Sequence, residues 1–323
     1  MTADEILIFG GTGSPSLTRR ICDYLKLPIG RGEVIRYPDS NLFVRVLENV
    51  RGRHVYVVQS TAFPANDNFM ELCFWIDAFK RASAASVTAI MPYFSYQKGD
   101  KKDEPRVSIR ARVCADALEA AGANRVITLD LHAPQIQGFF KVPVDDLYAV
   151  APLCTAATEL GLRDMVVVSP DVGFSKKARQ YAACLNAQLA IADKQRLDLA
   201  GKMVINRVIG DVEGKAAFIV DDFTVSGGTL VEVSQALMER GAREVYAAIT
   251  HGVFTDEAMR RLDASPIKKL LVTDSIETQP VKLSSKVQIV TVAPLFAEAI
   301  RRIHQRESVS VLFDYQRPPD SSR

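Results

Sequence analysis

The sequence predicts an α/β fold of two similar tandem domains with mainly parallel sheets. Short β-branched runs alternate with helical patterns, the signature of βαβ units. The order of those elements is written twice along the chain, so one architecture is expected to recur. A length of 323 residues with 48% hydrophobic content is ample for two cores.

The elements follow in order. An opening strand is expected at Ile6–Phe9. Further strands are expected at His54–Gln59, Val87–Met91, Arg125–Asp130, Met165–Ser169, Ala217–Val220, Val245–Thr250 and Leu270–Thr273. Helices fit between them, roughly at Asn68–Ser83, Ile109–Ala121, Ser175–Asn186, Thr229–Arg240 and Leu295–Gln305. The helix from Ile109 places Val113, Ala117, Leu118 and Ala121 at 3–4 spacing and stops at Gly122. The first half reads HVYVVQST, VTAIMPYFS, RVITLDLHA, VPVDDLYAVAPL. The second reads AAFIVDDFT, VYAAITHGVFT, LLVTDSIE, VQIVTVAPLF. A boundary near residue 150 is expected, giving domains 1–150 and 151–323, and the polar tail after Phe313 is expected to be disordered.

Composition narrows the function classes. Forty basic against 38 acidic residues leave a net charge of +2, which gives no global footprint for nucleic acid or a membrane surface. No apolar run approaches the ~20 residues that span a bilayer, and the start of the chain has no signal-peptide pattern. Five scattered cysteines without a CxxC pair argue against a disulfide framework or a zinc site. The expected location is the cytoplasm.

The most informative motif is Asp221-Asp222-Phe223-Thr224-Val225-Ser226-Gly227-Gly228-Thr229. Two carboxylates stand at the C-terminal end of a predicted strand, the edge where open parallel sheets bind ligands. Ser226–Thr229 then form a small-residue loop entering a helix, where backbone N–H groups and the helix N-terminus favour a phosphate. Carboxylates beside such a loop suit sugar hydroxyls or a metal. A second strand ends in Asp130-Leu131-His132, a pair suited to a Mg²⁺–triphosphate or to plain structural hydrogen bonding. Asp171, in Ser169-Pro170-Asp171-Val172-Gly173, is another carboxylate after a strand. Asp193-Lys194-Gln195-Arg196 reads by itself as an ordinary charged loop.

The motif resembles the ribose-phosphate loop of type I phosphoribosyltransferase folds. The flanking stretches ENVRGRHVYVVQST, RVITLDLHAPQIQGFF, VVVSPDVG, THGVF and ESVSVLF narrow the resemblance to the ribose-phosphate diphosphokinase family, over about residues 10–314. The resemblance implies two phosphoribosyltransferase-like domains around one active site at their interface. It implies diphosphate transfer from Mg–ATP to C1 of ribose 5-phosphate, with Mg²⁺ as cofactor and a homo-oligomer built on dimers, a hexamer among the options. It assigns Lys194 and its partner Arg196 to a mobile catalytic loop. It assigns the sugar phosphate to Asp171, Arg196, Asp221, Asp222, Val225, Ser226, Gly227, Gly228 and Thr229, the metal to Asp130, His132 and Asp171, and the nucleotide to Tyr37, Asp39, Asn41, Lys98 and His132.

The chain departs from the family pattern in places. Asn41 replaces the usual Glu, Lys98-Gly99 replaces Arg-Gln, Lys141 replaces an Asp, and Val225 replaces an Asp as in the plant-type branch. Ser308, Ser310 and Phe313 match the family's regulatory site, whereas Pro134 departs from it. Two rival readings are a non-catalytic regulatory member, which would have lost Lys194, Arg196, His132 or Asp171, and a phosphoribosyltransferase, which would not carry the duplicated chain.

Overall fold

The computed structural model describes residues 6–196, 203–277 and 281–313, and the side chains of 194–206 lie outside that description. The chain divides into two compact units. The first comprises Met1–Tyr148, Ser275–Thr278 and Val292–Leu312, and the second is built on Ala149–Asp274 with Gln279–Thr291.

In the first unit, β1 (Ile6–Gly10), β4 (His54–Val58), β5 (Ser86–Met91), β6 (Arg125–Leu129) and β7 (Val144–Leu147) form a parallel sheet in the order β1-β4-β5-β6-β7. Two more strands, β2 (Gly32–Arg36) and β3 (Leu42–Val46), make a separate antiparallel hairpin. Helices α1 (Pro15–Leu25), α2 (Ala65–Arg81), α3 (Arg110–Ala121) and α8 (Ala293–His304) belong to the same unit. The strands read as apolar runs because helices cover the sheet. Trp75 stacks on Phe79 at 5.4 Å between centroids, and Phe79 meets Phe9 at 4.6 Å, fixing α2 on β1.

The second unit holds α4 (Val150–Glu159), β8 (Met165–Ser169), α5 (Ser175–Cys184), β9 (Gln188–Arg196), β10 (Met203–Ile209), β11 (Ala216–Thr224), α6 (Gly228–Glu239), β12 (Glu244–Gly252), α7 (Asp256–Ala264), β13 (Ile267–Thr273) and β14 (Val287–Val290). Its sheet runs β10-β9-β8-β11-β12-β13-β14, parallel except at β9–β10. The core order β8-β11-β12-β13-β14 repeats β1-β4-β5-β6-β7, and each unit carries an antiparallel hairpin between its first and second core strands. The duplication expected from the sequence is therefore present in the topology.

The division at 148/149 agrees with the boundary expected near residue 150. Three expectations need correction. Helix α8 lies with the first unit instead of with residues 151–323, because its apolar face (Phe296, Ala297, Ile300, all buried) packs against α1. The run at 193–196 is not a loop but the end of β9, paired with β10 through Ile205↔Lys194 and Met203↔Arg196. Strand β11 continues past Val220 to Thr224, since Phe223 and Thr224 still pair with His251 and Gly252. The tail after Phe313 lies outside the described residues.

Candidate functional site

In the second unit the chemistry gathers at the C-terminal edge of β8 and β11, neighbouring parallel strands in register at Ile219↔Val168. Asp221 and Asp222 sit on the extension of β11. The backbone N–H of Asp222 donates to Asp221 Oδ1, and that of Phe223 to Asp222 Oδ1, both at 2.9 Å. Burial pushes the Asp221 carboxyl well above the usual carboxylate range, and the Asp222 and Asp171 carboxylates push it further the same way. Asp171, in the loop after β8, accepts from the Phe174 N–H at 2.9 Å and so shapes the turn into α5. Three carboxylates facing one edge repel one another, and a cation or sugar hydroxyls would relieve that repulsion.

The loop after β11 has the form an anion needs. Gly227 lies at φ 69°, in the left-handed region where a Cβ is disfavoured, and forms the N-cap of α6. Its N–H donates to Thr224 Oγ1 at 3.2 Å, which sets the turn. Val225 and Ser226 are exposed, and Gly228 and Thr229 are half-buried at the first turn of α6. The first-turn amides of a helix have no intrahelical partner and favour negative charge.

In the first unit, Asp130 and His132 follow β6. Asp130 is 3% exposed and adopts φ 46°, a conformation uncommon for a residue with a side chain. The turn is held by two residues the sequence reading assigned no role. Buried Asp146 accepts from Thr128 Oγ1 at 3.0 Å and from the Leu131 N–H at 3.1 Å. Buried Gln97 accepts from the His132 N–H at 2.8 Å, tying the loop that carries Lys98 to the exposed His132. Neither residue has a sequence signal beyond its neighbourhood. At Gly99 a Cβ would come within 2.6 Å of Arg110 Nε, so Gly99 makes room for the Arg110 side chain at the start of α3.

Tyr37, Asp39 and Asn41 form the tip of the β2–β3 hairpin, closed by Tyr37 N–H to Asn41 O at 2.8 Å. Tyr37 is 45% exposed, with the Phe43 ring tilted beside it at 6.2 Å between centroids. The Asp39 carboxylate accepts from both the backbone (3.1 Å) and the side-chain amide (2.7 Å) of Asn41, which hold it below its ordinary pKa. Part of its acceptor capacity is thus taken by the residue that departs from the family pattern. Lys194 and Arg196 are placed by backbone on β9, with their side chains outside the described residues.

Among the described residues no group of three His, Cys, Asp or Glu side chains converges as a metal cage. Mg²⁺ typically keeps substrate phosphates and waters as ligands and takes only one or two protein groups. In each unit, Asp130 and His132 in the first and Asp171, Asp221 and Asp222 in the second, the side chains are of the type that supplies one or two ligands to such a cation.

Comparison with known proteins decides the family. A model described as the N-terminal domain of ribose phosphate pyrophosphokinase matches residues 6–122, and one described as the phosphoribosyl synthetase-associated domain matches residues 200–314. A ribose-phosphate pyrophosphokinase of Rhizobium meliloti is 47% identical, covering 95% of this chain and 99% of its own length. The chain belongs to the ribose-phosphate pyrophosphokinase family. A second ribose-phosphate pyrophosphokinase, from Caldanaerobacter subterraneus subsp. tengcongensis, is 48% identical over 96% of this chain and 98% of its own. The crystal structure of phosphoribosylpyrophosphate synthetase from Mycobacterium smegmatis superposes with a TM-score of 0.87 at 36% identity, covering 94% of this chain and 99% of that one. Ribose-phosphate pyrophosphokinases are enzymes, diphosphotransferases, so the regulatory-only and phosphoribosyltransferase readings give way. No described helix is long and apolar enough to cross a membrane.

Proposed function

We propose that this chain transfers the terminal diphosphate of Mg–ATP to the C1 hydroxyl of ribose 5-phosphate, giving phosphoribosyl diphosphate and AMP. The observation that carries this reading is the carboxylate pair of β11 running directly into the Ser226–Thr229 loop, beside Asp171. Such an arrangement suits a ligand with vicinal hydroxyls at one end and a phosphate at the other.

In this reading Asp221 and Asp222 accept from the ribose hydroxyls, and the first-turn amides of α6 hold the 5-phosphate. The C1 oxygen attacks the β-phosphorus, a new O–Pβ bond forms, and the bond from Pβ to the oxygen bridging it to the α-phosphorus breaks. That oxygen leaves with AMP, and the hydroxyl proton passes to solvent. Bound on the triphosphate, Mg²⁺ would neutralise oxygen charge and orient the chain of phosphates. Lys194 and Arg196 supply the positive charge that meets the transferring group, and His132 and Asp171 contact the metal–nucleotide and the sugar phosphate. Tyr37 stacks on the base, while Asp39, Asn41 and Lys98 line the nucleotide side. The family resemblance further supports a homo-oligomer and a cytoplasmic location.

Asp221→Ala or Asp222→Ala tests the sugar assignment. Each should raise the KM for ribose 5-phosphate at least ~10-fold while changing that for ATP little, as expected when buried hydrogen-bond partners of a substrate are removed. An unchanged sugar-phosphate KM would take these residues out of the site.

A further inference from the structure

Helix α7 runs alongside the phosphate loop. A Cβ at Gly227 would lie 3.5–3.8 Å from atoms of Ala258, and a Cβ at Gly228 would lie 3.1 Å from Arg261 Nη1 and 3.5 Å from Ser226 Oγ. The missing side chain of Gly228 therefore leaves the Arg261 guanidinium close over the first turn of α6. Arg261 Nε donates to Glu257 Oε1 at 2.8 Å, one turn earlier on the same helix, and its guanidinium makes no other hydrogen bond among the described residues. One edge of the fork is thus fixed, and Nη1 is left at the loop. Glu257 also accepts from Arg260 at 2.6 Å, and these bonds, Arg260's first, hold it below its ordinary pKa. Glu257 is thus shared between the two guanidiniums of Arg260 and Arg261.

We propose that Arg261 binds the 5-phosphate of the sugar substrate, through Nη1, from above the Ser226–Thr229 loop. Backbone amides offer geometry without net charge, whereas a guanidinium adds charge and a planar donor set matched to phosphate oxygens. Glu257 orients the fork before substrate arrives, so less side-chain freedom is lost on binding. This assignment rests on the reading that the loop holds a sugar phosphate, and it adds a residue outside the motif that identified the loop.

The test compares the full-length enzyme with Arg261→Ala, Arg261→Lys and Arg260→Ala. It measures KM for ribose 5-phosphate and for ATP, kcat, and the dissociation constant of ribose 5-phosphate by calorimetry without nucleotide. Arg261→Ala should weaken ribose 5-phosphate roughly 10-fold in both KM and Kd, a value set by a charge-assisted contact at a partly exposed position. Its kcat and KM for ATP should stay within about twofold. Arg261→Lys should recover part of the loss, and Arg260→Ala should shift ribose 5-phosphate less than about threefold. Unchanged affinity for ribose 5-phosphate in Arg261→Ala, or equal losses for both substrates, would overturn the assignment. A wild-type enzyme that neither binds ribose 5-phosphate nor releases AMP in its presence would overturn the underlying reading instead.

Discussion

At the scale of single residues, the candidate groups are oriented, and in one case shifted in protonation, by their neighbours. Asp221 is the clearest case, since burial and two nearby carboxylates all favour its neutral form in the unliganded protein. Lys194 is assigned a different task, meeting charge that develops only in the transition state. Lys194→Ala is expected to lower kcat by at least ~10² while changing the affinity for ribose 5-phosphate by less than about threefold. Parallel losses in kcat and in ribose 5-phosphate binding would make Lys194 a ground-state binder. The candidate residues read from sequence were those in chemically unusual strings: paired aspartates before Ser-Gly-Gly-Thr, and Asp-Leu-His after a strand. Gln97, Asp146 and Arg261 were not legible, because each acts across the fold on a loop distant in sequence: Gln97 is 35 positions from His132.

At the scale of elements, the strands of the duplicated core were legible because buried parallel strands are continuous apolar runs. The β9–β10 hairpin was not, because Asp193-Lys194-Gln195-Arg196 carries the composition of a solvated loop and becomes a strand only through pairing with Met203–Ile209. Helix α8 shows how a charged face supports an element. Arg301 and Arg302 both bond Glu298, and Arg301 reaches Glu307 beyond the helix end. Those bonds, Arg301's first, hold the Glu298 carboxyl below its ordinary value of 4.5. A depressed folded-state pKa gives stability that is present above the unfolded pKa and is lost as pH falls through the folded one. Glu298→Gln should therefore cost about 0.5–1 kcal/mol at pH 7, with the difference from wild type shrinking as pH falls below 4.5 toward the depressed folded-state value. Thermal unfolding of both proteins across that range checks it, and a gap independent of pH would contradict the assignment.

At the scale of the whole molecule, the sequence repeat corresponds to two sheets of the same core order, β1-β4-β5-β6-β7 and β8-β11-β12-β13-β14. The matching AVAPL and TVAPL segments open α4 and α8, and each of these helices belongs to the unit other than the one whose last strand precedes it. A boundary read from sequence alone places the division near residue 150 but cannot show that α8 returns to the first unit, because an amphipathic helix does not name the surface that covers it. A chain ending at residue 291 lacks the cover over α1. It should lose hydrogen-exchange protection in α1 and β1 before it does in β11 and β12, and equal protection in truncated and full-length chains would show that α8 is dispensable to the first unit.

A diphosphate, not a single phosphate, is expected to move to the sugar. Phosphorus NMR of ATP and ribose 5-phosphate incubated with the enzyme and Mg²⁺ tests it most directly. AMP and phosphoribosyl diphosphate should appear in equal amounts, with no reaction when the sugar phosphate is omitted. Formation of ADP with a ribose bisphosphate, or AMP release that does not depend on ribose 5-phosphate, would contradict it.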